Sequence, residues 1–297
     1  MQEACVCAIG VFDGVHFGHQ ALLAAAAEDA RERGAQAVAV TFDRDPDELF
    51  CPDKVHKILT NEDRIAALGN FVPKVYALHF TRELASQEWQ EFLSNLLLAL
   101  PALKAVHVGT NFRCGARAAA GIPELVDWGK KHDIAIVPEA LQLVDELPVS
   151  SSRIRALLAE GNIKEATKFL TRPFSLTGRV IKGAGRGHDL GFATANVEVD
   201  GSFAKMGPYV YAAYAMIDNE RYKAAVSIGE PPTYSPETKE FNPCVFEAHL
   251  LDFEGDLYGK ELTLEFVESL RPMQRFSSQE ELIATVMGNI AWVRTNL

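Results

Sequence analysis

The pattern of hydrophobic and polar positions changes character between the two halves of the chain. In the first half, short apolar runs alternate with longer stretches of helical periodicity. The runs predict strands at residues 5–12, 35–42, 75–80, 105–108 and 134–137, and the stretches predict helices at 18–33, 62–68, 87–100 and 123–131. Strands that alternate with helices are typical of a doubly wound α/β sheet, in which parallel strands are joined by right-handed crossovers.

The second half is dominated by shorter strand-like runs. Two further helical stretches come first, at residues 152–160 and 164–170. Beyond residue 172 the runs fall at 175–181, 209–217, 221–228, 245–251 and 261–267, and an amphipathic helix is predicted at 278–294. Short strands separated by Gly, Pro and Asn turns are typical of a small antiparallel barrel or sandwich. We therefore predict an α/β domain at 1–172 and an all-β domain at 173–297.

The composition is that of an ordinary soluble globular protein. Of its 297 residues 48% are hydrophobic and 23% charged, which is enough to bury a core in more than one domain. A formal net charge of −11 argues against a nucleic-acid groove or an anionic membrane surface as the main partner. Nucleotide binding remains open, because a phosphate site needs only a few local donors.

Apolar runs and cysteines both predict a cytoplasmic protein. The N-terminus lacks the basic segment and apolar stretch of a signal peptide, and Pro101 and Lys104 interrupt the longest apolar run, at residues 96–105. The five cysteines are odd in number, and Cys5 and Cys7 would share one face of a strand. We therefore expect buried free thiols in a reducing compartment, with neither disulfides nor a zinc site.

The first candidate for chemistry follows the first predicted strand. Residues 10–20 read Gly-Val-Phe-Asp-Gly-Val-His-Phe-Gly-His-Gln, and ligands of doubly wound sheets bind beyond the carboxyl ends of the strands. The i, i+3 spacing of His16 and His19 predicts two imidazoles on one face of the first helical turn, beside unpaired backbone N–H groups. Such a pair could stabilise negative charge on a triphosphate. The alternative is that both histidines only cap the helix.

The second candidate is rich in glycine. Residues 183–196 read Gly-Ala-Gly-Arg-Gly-His-Asp-Leu-Gly-Phe-Ala-Thr-Ala-Asn. Gly183, Gly185 and Gly187 would let the backbone come close to phosphate groups. The segment is neither a Walker A loop, since no Gly-Lys-Ser/Thr follows, nor a dinucleotide fingerprint, since an antiparallel region surrounds it. By itself, such a segment is equally consistent with a flexible turn.

Taken together and in this order, the two segments resemble the signatures of the bacterial bifunctional riboflavin kinase/FAD synthetase family. Residues 10–20 resemble the nucleotidyltransferase signature of its FAD synthetase module, residues 183–196 its riboflavin kinase signature, and residues 246–253 its Val-Glu-x-His-Leu-Leu-Asp-Phe strand. The resemblance implies a Rossmann-like nucleotidyltransferase domain followed by a Greek-key β-barrel with a C-terminal helix. It implies two reactions: riboflavin and ATP give FMN and ADP, and FMN and ATP then give FAD and pyrophosphate.

The same resemblance implies roles for individual residues of this chain. In the FAD synthetase module it makes His16 and His19 catalytic and assigns nucleotide or phosphate contacts to Gly10, Phe12, Asp13, Gly14, Asn111, Ser151, Ser152 and Arg155. In the kinase module it assigns phosphate contacts to Gly183, Gly185 and Gly187, binding of Mg²⁺ with ATP to Thr194 and Asn196, and the role of catalytic base to Glu247. The partners implied are small molecules alone, and the oligomeric state stays open.

Three residues depart from the family pattern. Asp45 stands where the family has His, Pro148 where many members have Arg, and Ala193 where the usual residue is Pro. A carboxylate at position 45 would repel phosphate unless a metal or Arg44 offsets it. These departures leave open an enzyme that retains only one activity. A flavin- or nucleotide-binding regulator without turnover also stays open, although the intact histidines, Thr194, Asn196 and Glu247 argue against it.

Overall fold

The chain folds into two compact units. The computed structural model describes residues 3–51, 56–182, 194–229 and 244–297. One unit comprises Met1–Ser151 and the other Ser152–Leu297. The helices between residues 152 and 170 thus belong with the second unit, and the predicted domain boundary near residue 172 stays a prediction.

The first unit is built on a five-stranded parallel sheet of order β3-β2-β1-β4-β5. Its strands are β1 Cys5–Ile9, β2 Gln36–Phe42, β3 Lys74–Leu78, β4 Leu103–Gly109 and β5 Ala135–Glu139, and a hairpin of β6 Leu143–Val144 and β7 Leu147–Pro148 follows. Its helices are α1 Phe17–Glu32, α2 Pro46–Phe50, α3 Asn61–Leu68, α4 Arg82–Ser86, α5 Trp89–Ala99 and α6 Ile122–His132. The predicted α/β class is confirmed.

Helices cover both faces of this sheet. On one face α5 and α6 pack against the strands through residues such as Leu96 and Trp128, and on the other face α1 and α3 do so through Leu23 and Leu68. Because both faces are covered, central strands read as continuous apolar runs, and all five residues of β1 are buried. The strand order reverses between β1 and β4, which makes the carboxyl ends of these two strands the topological switch point.

The second unit is a closed barrel of six antiparallel strands. They are β8 Phe174–Ile181, β9 Ala195–Val199, β10 Tyr209–Ile217, β11 Glu220–Ile228, β12 Cys244–Leu250 and β13 Glu261–Pro272. The order is β10-β11-β12-β9-β8-β13, so β13 returns to pair with β10 after the meander of β10 to β12. This is the predicted Greek-key arrangement. The helices are α7 Ser151–Ala159, which begins at the last residue of the first unit, α8 Ile163–Leu170 and α9 Gln279–Asn296.

Three differences from the predicted elements have physical reasons. The first strand ends at Ile9 because Phe12 takes a left-handed conformation, φ 61°, which a strand excludes. Helix α2 was not predicted because its five residues are too short for a periodic signal. Strand β9 is absent from the predicted strands because its five residues, with Asn and Glu among them, form no apolar run. Among the described helices, none is long and apolar enough to cross a membrane.

The cysteines agree in part with the prediction of buried free thiols. Cys5 and Cys7 are buried in the same cluster, as strand alternation requires, and both are free. Burial raises the pKa of both thiols, which keeps them protonated. Cys51 is also free but exposed.

Candidate active sites

The loop after β1 has an unusual backbone. Phe12 and Val15 have φ angles of 61° and 39°, values that cost strain in residues with a side chain, and Gly14 has φ 78°. Phe12 is nevertheless fully buried. Glycine is required at position 14 for two reasons: the φ angle is positive, and a Cβ there would lie 3.0 Å from the Ile58 side chain. A strained loop of this kind persists only where the surrounding structure holds it.

The two histidines of the motif stack on each other at the start of α1. Their ring centroids are 3.6 Å apart, with an angle of 15° between the ring planes. His16 is the N-cap residue, just before the helix, and its Nδ1 accepts a hydrogen bond from the backbone N–H of His19 at 3.3 Å. Gly18 leaves room for the His16 ring, since a Cβ there would lie 3.3 Å from it. Capping and chemistry are therefore compatible in His16 and are not alternatives.

The capping bond fixes the tautomer of His16. A neutral imidazole that accepts at Nδ1 carries its proton on Nε2, so the ring presents Nε2–H as a donor. Burial lowers the pKa of His19 well below its ordinary value, and the neighbouring His16 and Arg64 lower it further. The His19 ring is then neutral at neutral pH, and the donor role expected for both rings stays a prediction.

His19 also has an unsatisfied atom. Its Nδ1 is buried and has no hydrogen-bond partner among the residues that the structure describes. The edge of the Phe12 ring packs against it, with the ring centroids 5.3 Å apart. Buried polar atoms are nearly always hydrogen-bonded, so an unpaired one in α1 beside a strained loop is the kind of atom that a ligand completes.

Side chains from three directions hold alternate carbonyl groups of this loop. The Val11 carbonyl accepts from the Thr41 hydroxyl at 3.1 Å, the Asp13 carbonyl from the Ser151 hydroxyl at 2.9 Å, and the Val15 carbonyl from the Gln20 amide at 2.9 Å. The carboxylate of Asp13, which is buried, accepts in addition from the backbone N–H of Ile58. Asp13 and Ser151 thus support the loop, and their predicted phosphate contacts stay a prediction.

The loop after β4 lies at the other side of the switch point. Asn111 is exposed directly beyond the end of β4, and the backbone N–H of Phe112 turns back to the carbonyl of Gly109 at 2.9 Å. Gly10 lies at the end of the neighbouring β1, where a Cβ would come within 3.2 Å of the Phe12 ring. Ser152 and Arg155 belong to the second unit, and their predicted phosphate contacts stay a prediction.

Arg64 was missed by the sequence analysis. It lies in α3, is 1% exposed, and donates to the carbonyl of Val11 and the hydroxyl of Thr41, both at 2.7 Å. A signal was present: Arg64 stands one helical turn before the buried Leu68, so a charge lies on the apolar face of the helix. A charge in that position is rare unless it has a structural or functional role.

Asp45 is the departure from the family pattern whose surroundings the structure explains best. It caps α2, accepting from the backbone N–H of Asp47, while Glu48 accepts from the backbone N–H of Asp45. The Arg44 guanidinium lies 3.9 Å from a carboxylate oxygen of Asp43, and the charge of Asp45 opposes the lowering of the Arg64 pKa by burial. An offset of Asp45 by a metal or by Arg44 beside a bound phosphate stays a prediction. Pro148 is exposed in the hairpin, opposite Leu143.

In the second unit, three polar side chains form one row across neighbouring strands. In the barrel register Asn196 of β9 lies opposite Glu247 of β12, which lies opposite Ser227 of β11. Glu247 is exposed and its two neighbours in the row are half-buried, whereas the alternate residues Val197 and Phe246 are buried inside the barrel. Residues opposite each other have Cβ atoms about 5 Å apart, so the side chains of Asn196 and Glu247 lie on the same small area of the outer surface.

Thr194 fits the same surface. It precedes the buried Ala195, so alternation places it on the side of Asn196. Hydroxyl and amide oxygens are ligands of the kind that Mg²⁺ takes. The described residues contain no group of three or more His, Cys, Asp or Glu that could hold a metal by itself. The predicted Gly183, Gly185 and Gly187 and the departure Ala193 lie outside the described residues.

Comparisons with known proteins match both halves of the chain. The family model for FAD synthetase matches residues 1–153 and that for riboflavin kinase residues 170–297. The chain is 35% identical over 295 residues to the bifunctional riboflavin kinase/FMN adenylyltransferase of Pseudomonas fluorescens, covering 98% of this chain and 93% of that protein. It is 33% identical over 288 residues to the protein of the same name from Escherichia coli K12, covering 96% and 90%.

A solved structure shows the fold over the whole chain. It is described as a macrolide-efflux protein from Streptococcus pneumoniae, and it superposes with a TM-score of 0.85 at 26% identity, covering 100% of this chain and 95% of that one. This likeness bears on the fold alone. Family membership follows from the two family models and from sequence relatives that are similar over nearly their full length. The chain belongs to the family of bifunctional riboflavin kinase/FMN adenylyltransferases.

Proposed function

We propose that the chain makes FAD from riboflavin in two ATP-dependent steps, each at a site within its own unit. Membership of the family supports both activities, riboflavin kinase and FMN adenylyltransferase. The observation that supports two sites is that two of the predicted residues lie together in each unit. The stacked histidines lie at the carboxyl end of β1, and the row of Asn196 and Glu247 lies on the barrel surface.

In the adenylylation step, a phosphate oxygen of FMN attacks the α-phosphorus of ATP, and the bond to the β-phosphate oxygen breaks to release pyrophosphate. No protein nucleophile is needed, so the protein positions the phosphates and stabilises charge. The Nε2–H of His16 and the ring of His19 serve as donors to these phosphates. A bound triphosphate would also complete the buried Nδ1 of His19 and would favour its protonation.

In the kinase step, the 5′-hydroxyl oxygen of riboflavin attacks the γ-phosphorus of ATP and ADP leaves. Glu247 is the base that takes the hydroxyl proton, and its exposed position leaves the carboxylate accessible to a substrate. Thr194 and Asn196 would hold Mg²⁺ on the same face. The metal, when bound, neutralises part of the charge on the phosphates.

The compartment follows from the same chemistry. Both steps consume ATP, and the negative net charge disfavours nucleic acid and anionic membrane surfaces as partners. We place the protein in the cytoplasm, with small molecules as its partners. Fractionation of cells that express it should find both activities in the soluble fraction, and recovery with membranes would contradict this.

One product assay tests the function. The purified chain is incubated with ATP and Mg²⁺ and either riboflavin or FMN, and the flavins are separated by chromatography. We expect riboflavin to give FMN and then FAD, and supplied FMN to give FAD. FMN as the final product would show that only the kinase is active, and FAD formed only from supplied FMN would show the reverse. Flavin binding without product would support the regulator.

A further inference from the structure

Arg64 is the largest side chain that is fully buried among the described residues. The guanidinium is protonated at every accessible pH, so a full positive charge lies inside the first unit. Burial lowers its pKa, while Asp45, Asp13, Glu48 and Asp43 raise it. A buried charge is costly to retain, and a protein keeps one where it has a role in structure or chemistry.

The hydrogen bonds of Arg64 join the ends of two strands. One terminal nitrogen donates to the Val11 carbonyl and the Thr41 hydroxyl, and the other to the Phe42 carbonyl at 2.8 Å and to Asn61 Oδ1 at 3.1 Å. Thr41 in turn donates to the Val11 carbonyl. The guanidinium therefore fixes the loop after β1 to the carboxyl end of β2.

These partners are all neutral. In the described part of the chain no carboxylate lies within ion-pair distance of Arg64, and the four carboxylates act on it from farther away. Among the residues that the structure describes, its charge is thus not cancelled at contact distance. It acts on His19, whose pKa it helps to lower, and it lies at the edge of the sheet where the triphosphate is proposed to bind.

A short chain of contacts links Arg64 to the histidine pair. Val11, which Arg64 holds, is followed by the strained Phe12, and the Phe12 ring packs edge-on against His19. The stack of His19 on His16 then sets where both donors lie. Displacement of the Val11 carbonyl would relax Phe12 and move the rings, because the strain at Phe12 needs outside support.

We propose that Arg64 is a positioning residue for adenylyl transfer: it fixes the strained loop that orients His16 and His19, and it supplies a buried positive charge at the phosphate site. The proposal rests on the proposed adenylylation at this site. It concerns the first unit alone, so the kinase of the second unit serves as an internal control for each variant.

The test compares Arg64→Met, Arg64→Lys and Thr41→Val. Methionine removes both the charge and the hydrogen bonds, lysine keeps the charge but cannot span four acceptors, and the Thr41 variant keeps Arg64 and breaks one anchor. For each variant, FAD formation from FMN is measured across pH, and phosphorylation of riboflavin and thermal unfolding are measured as controls. Arg31→Met is the matched control, because Arg31 is exposed and its guanidinium pairs with Glu28 of the same helix, α1.

We expect Arg64→Met to lower kcat for FAD formation by about 10²-fold, the loss typical of a misplacement near 1 Å, with the kinase unchanged. The plot of kcat/KM against pH should contain a limb that reports the titration of His19. In Arg64→Met this limb should move to higher pH, because the positive charge that opposes protonation of His19 has been removed. His16 and the carboxylates Asp13, Asp43, Asp45 and Glu48 remain in all variants. Arg64→Lys and Thr41→Val should lower kcat for FAD formation without moving the limb that reports His19. In Arg31→Met, kcat should stay within threefold of the wild-type value.

Two results overturn the proposal. One is a rate of FAD formation within threefold of wild type in Arg64→Met, and the other is a slow variant in which the pH limb does not move. If Arg64→Met also loses the kinase or does not fold, Arg64→Lys and Thr41→Val decide, and wild-type rates in both reject the positioning role. A wild-type chain that makes no FAD from FMN would reject the proposed adenylylation itself, which is visible before any variant is made.

Discussion

In the first unit the candidate residues lie in a buried loop whose backbone leaves the ordinary regions of φ and ψ, whereas in the second they lie on the outer face of regular strands. The loop depends on side chains from β2, α1 and α3 and on Ser151, which hold its carbonyl groups. In the part of the barrel that the structure describes, the row of Asn196 and Glu247 follows from the register of neighbouring strands. Residues that never touch substrate should therefore matter more for adenylylation than for phosphorylation.

The sharpest test of the exposed site is Glu247→Gln. The amide cannot accept the hydroxyl proton, so riboflavin phosphorylation should fall about 10²–10⁴-fold, the range for loss of a general base. Thermal unfolding and the conversion of supplied FMN to FAD should be unchanged. Glu261→Gln, at an exposed position of β13, is the matched control. Retained kinase activity in Glu247→Gln would remove this residue from the mechanism.

At the buried site, His19→Ala should lower FAD formation by about 10²–10³-fold, the loss expected for one donor to a charged transition state. His16 can be tested more finely, because asparagine is also a good N-cap. His16→Asn should lose activity with the stability kept, and His16→Ala should also lose about 1 kcal/mol of stability. His132→Gln on α6 is the control. If His16→Asn were as active as the wild type, the role of His16 would be limited to capping the helix.

Gly178→Ala tests whether the register supports the barrel site. A Cβ at Gly178 would lie 2.5 Å from the Glu198 carbonyl, so β8 and β9 could not keep their spacing. We expect a loss of about 1–3 kcal/mol in unfolding free energy and reduced kinase activity, with adenylylation of FMN retained. Gly288→Ala is the control, since nothing lies within 4 Å of a Cβ there. If the Gly178 variant is destabilised but its kinase kinetics are unchanged, the kinase site does not depend on the register of β8 and β9.

The smallest expected effect concerns Asp29, far along α1 from the histidines. Burial opposes its ionisation, but hydrogen bonds from the buried His107 and from Arg33 outweigh it, so the pKa of Asp29 lies below its ordinary value. A carboxylate with a lowered pKa stabilises the fold above its unfolded pKa, near 4, and loses that contribution as pH falls through the folded value. In Asp29→Asn the free energy of unfolding, measured with denaturant, should fall less between pH 6 and pH 3 than in the wild type. At neutral pH the substitution should lower that free energy by about 1 kcal/mol. Parallel curves would contradict the assignment.

Much of the architecture could be predicted because it depends on local patterns. Alternating strands and helices gave the parallel sheet, and the motif spacing placed both histidines at the start of α1. Capping was open for both histidines as the alternative to chemistry. The sequence could not show that His16 alone is the N-cap, because whether a ring precedes a helix or lies inside it depends on a boundary of one residue. Arg64 and the bridge made by His107 depend on which side chains tertiary packing brings together, and the sequence pattern does not contain that information.

The closed barrel has a consequence for association between chains. Its six strands use both rows of backbone hydrogen bonds on each other, so none of them offers a template to a foreign strand. The parallel sheet ends in two edges, β3 and β5. Pro138 in β5 lacks the N–H that strand addition would use, whereas β3 has no proline. Where chains of this protein aggregate by strand addition, β3 is therefore the edge at which pairing would begin.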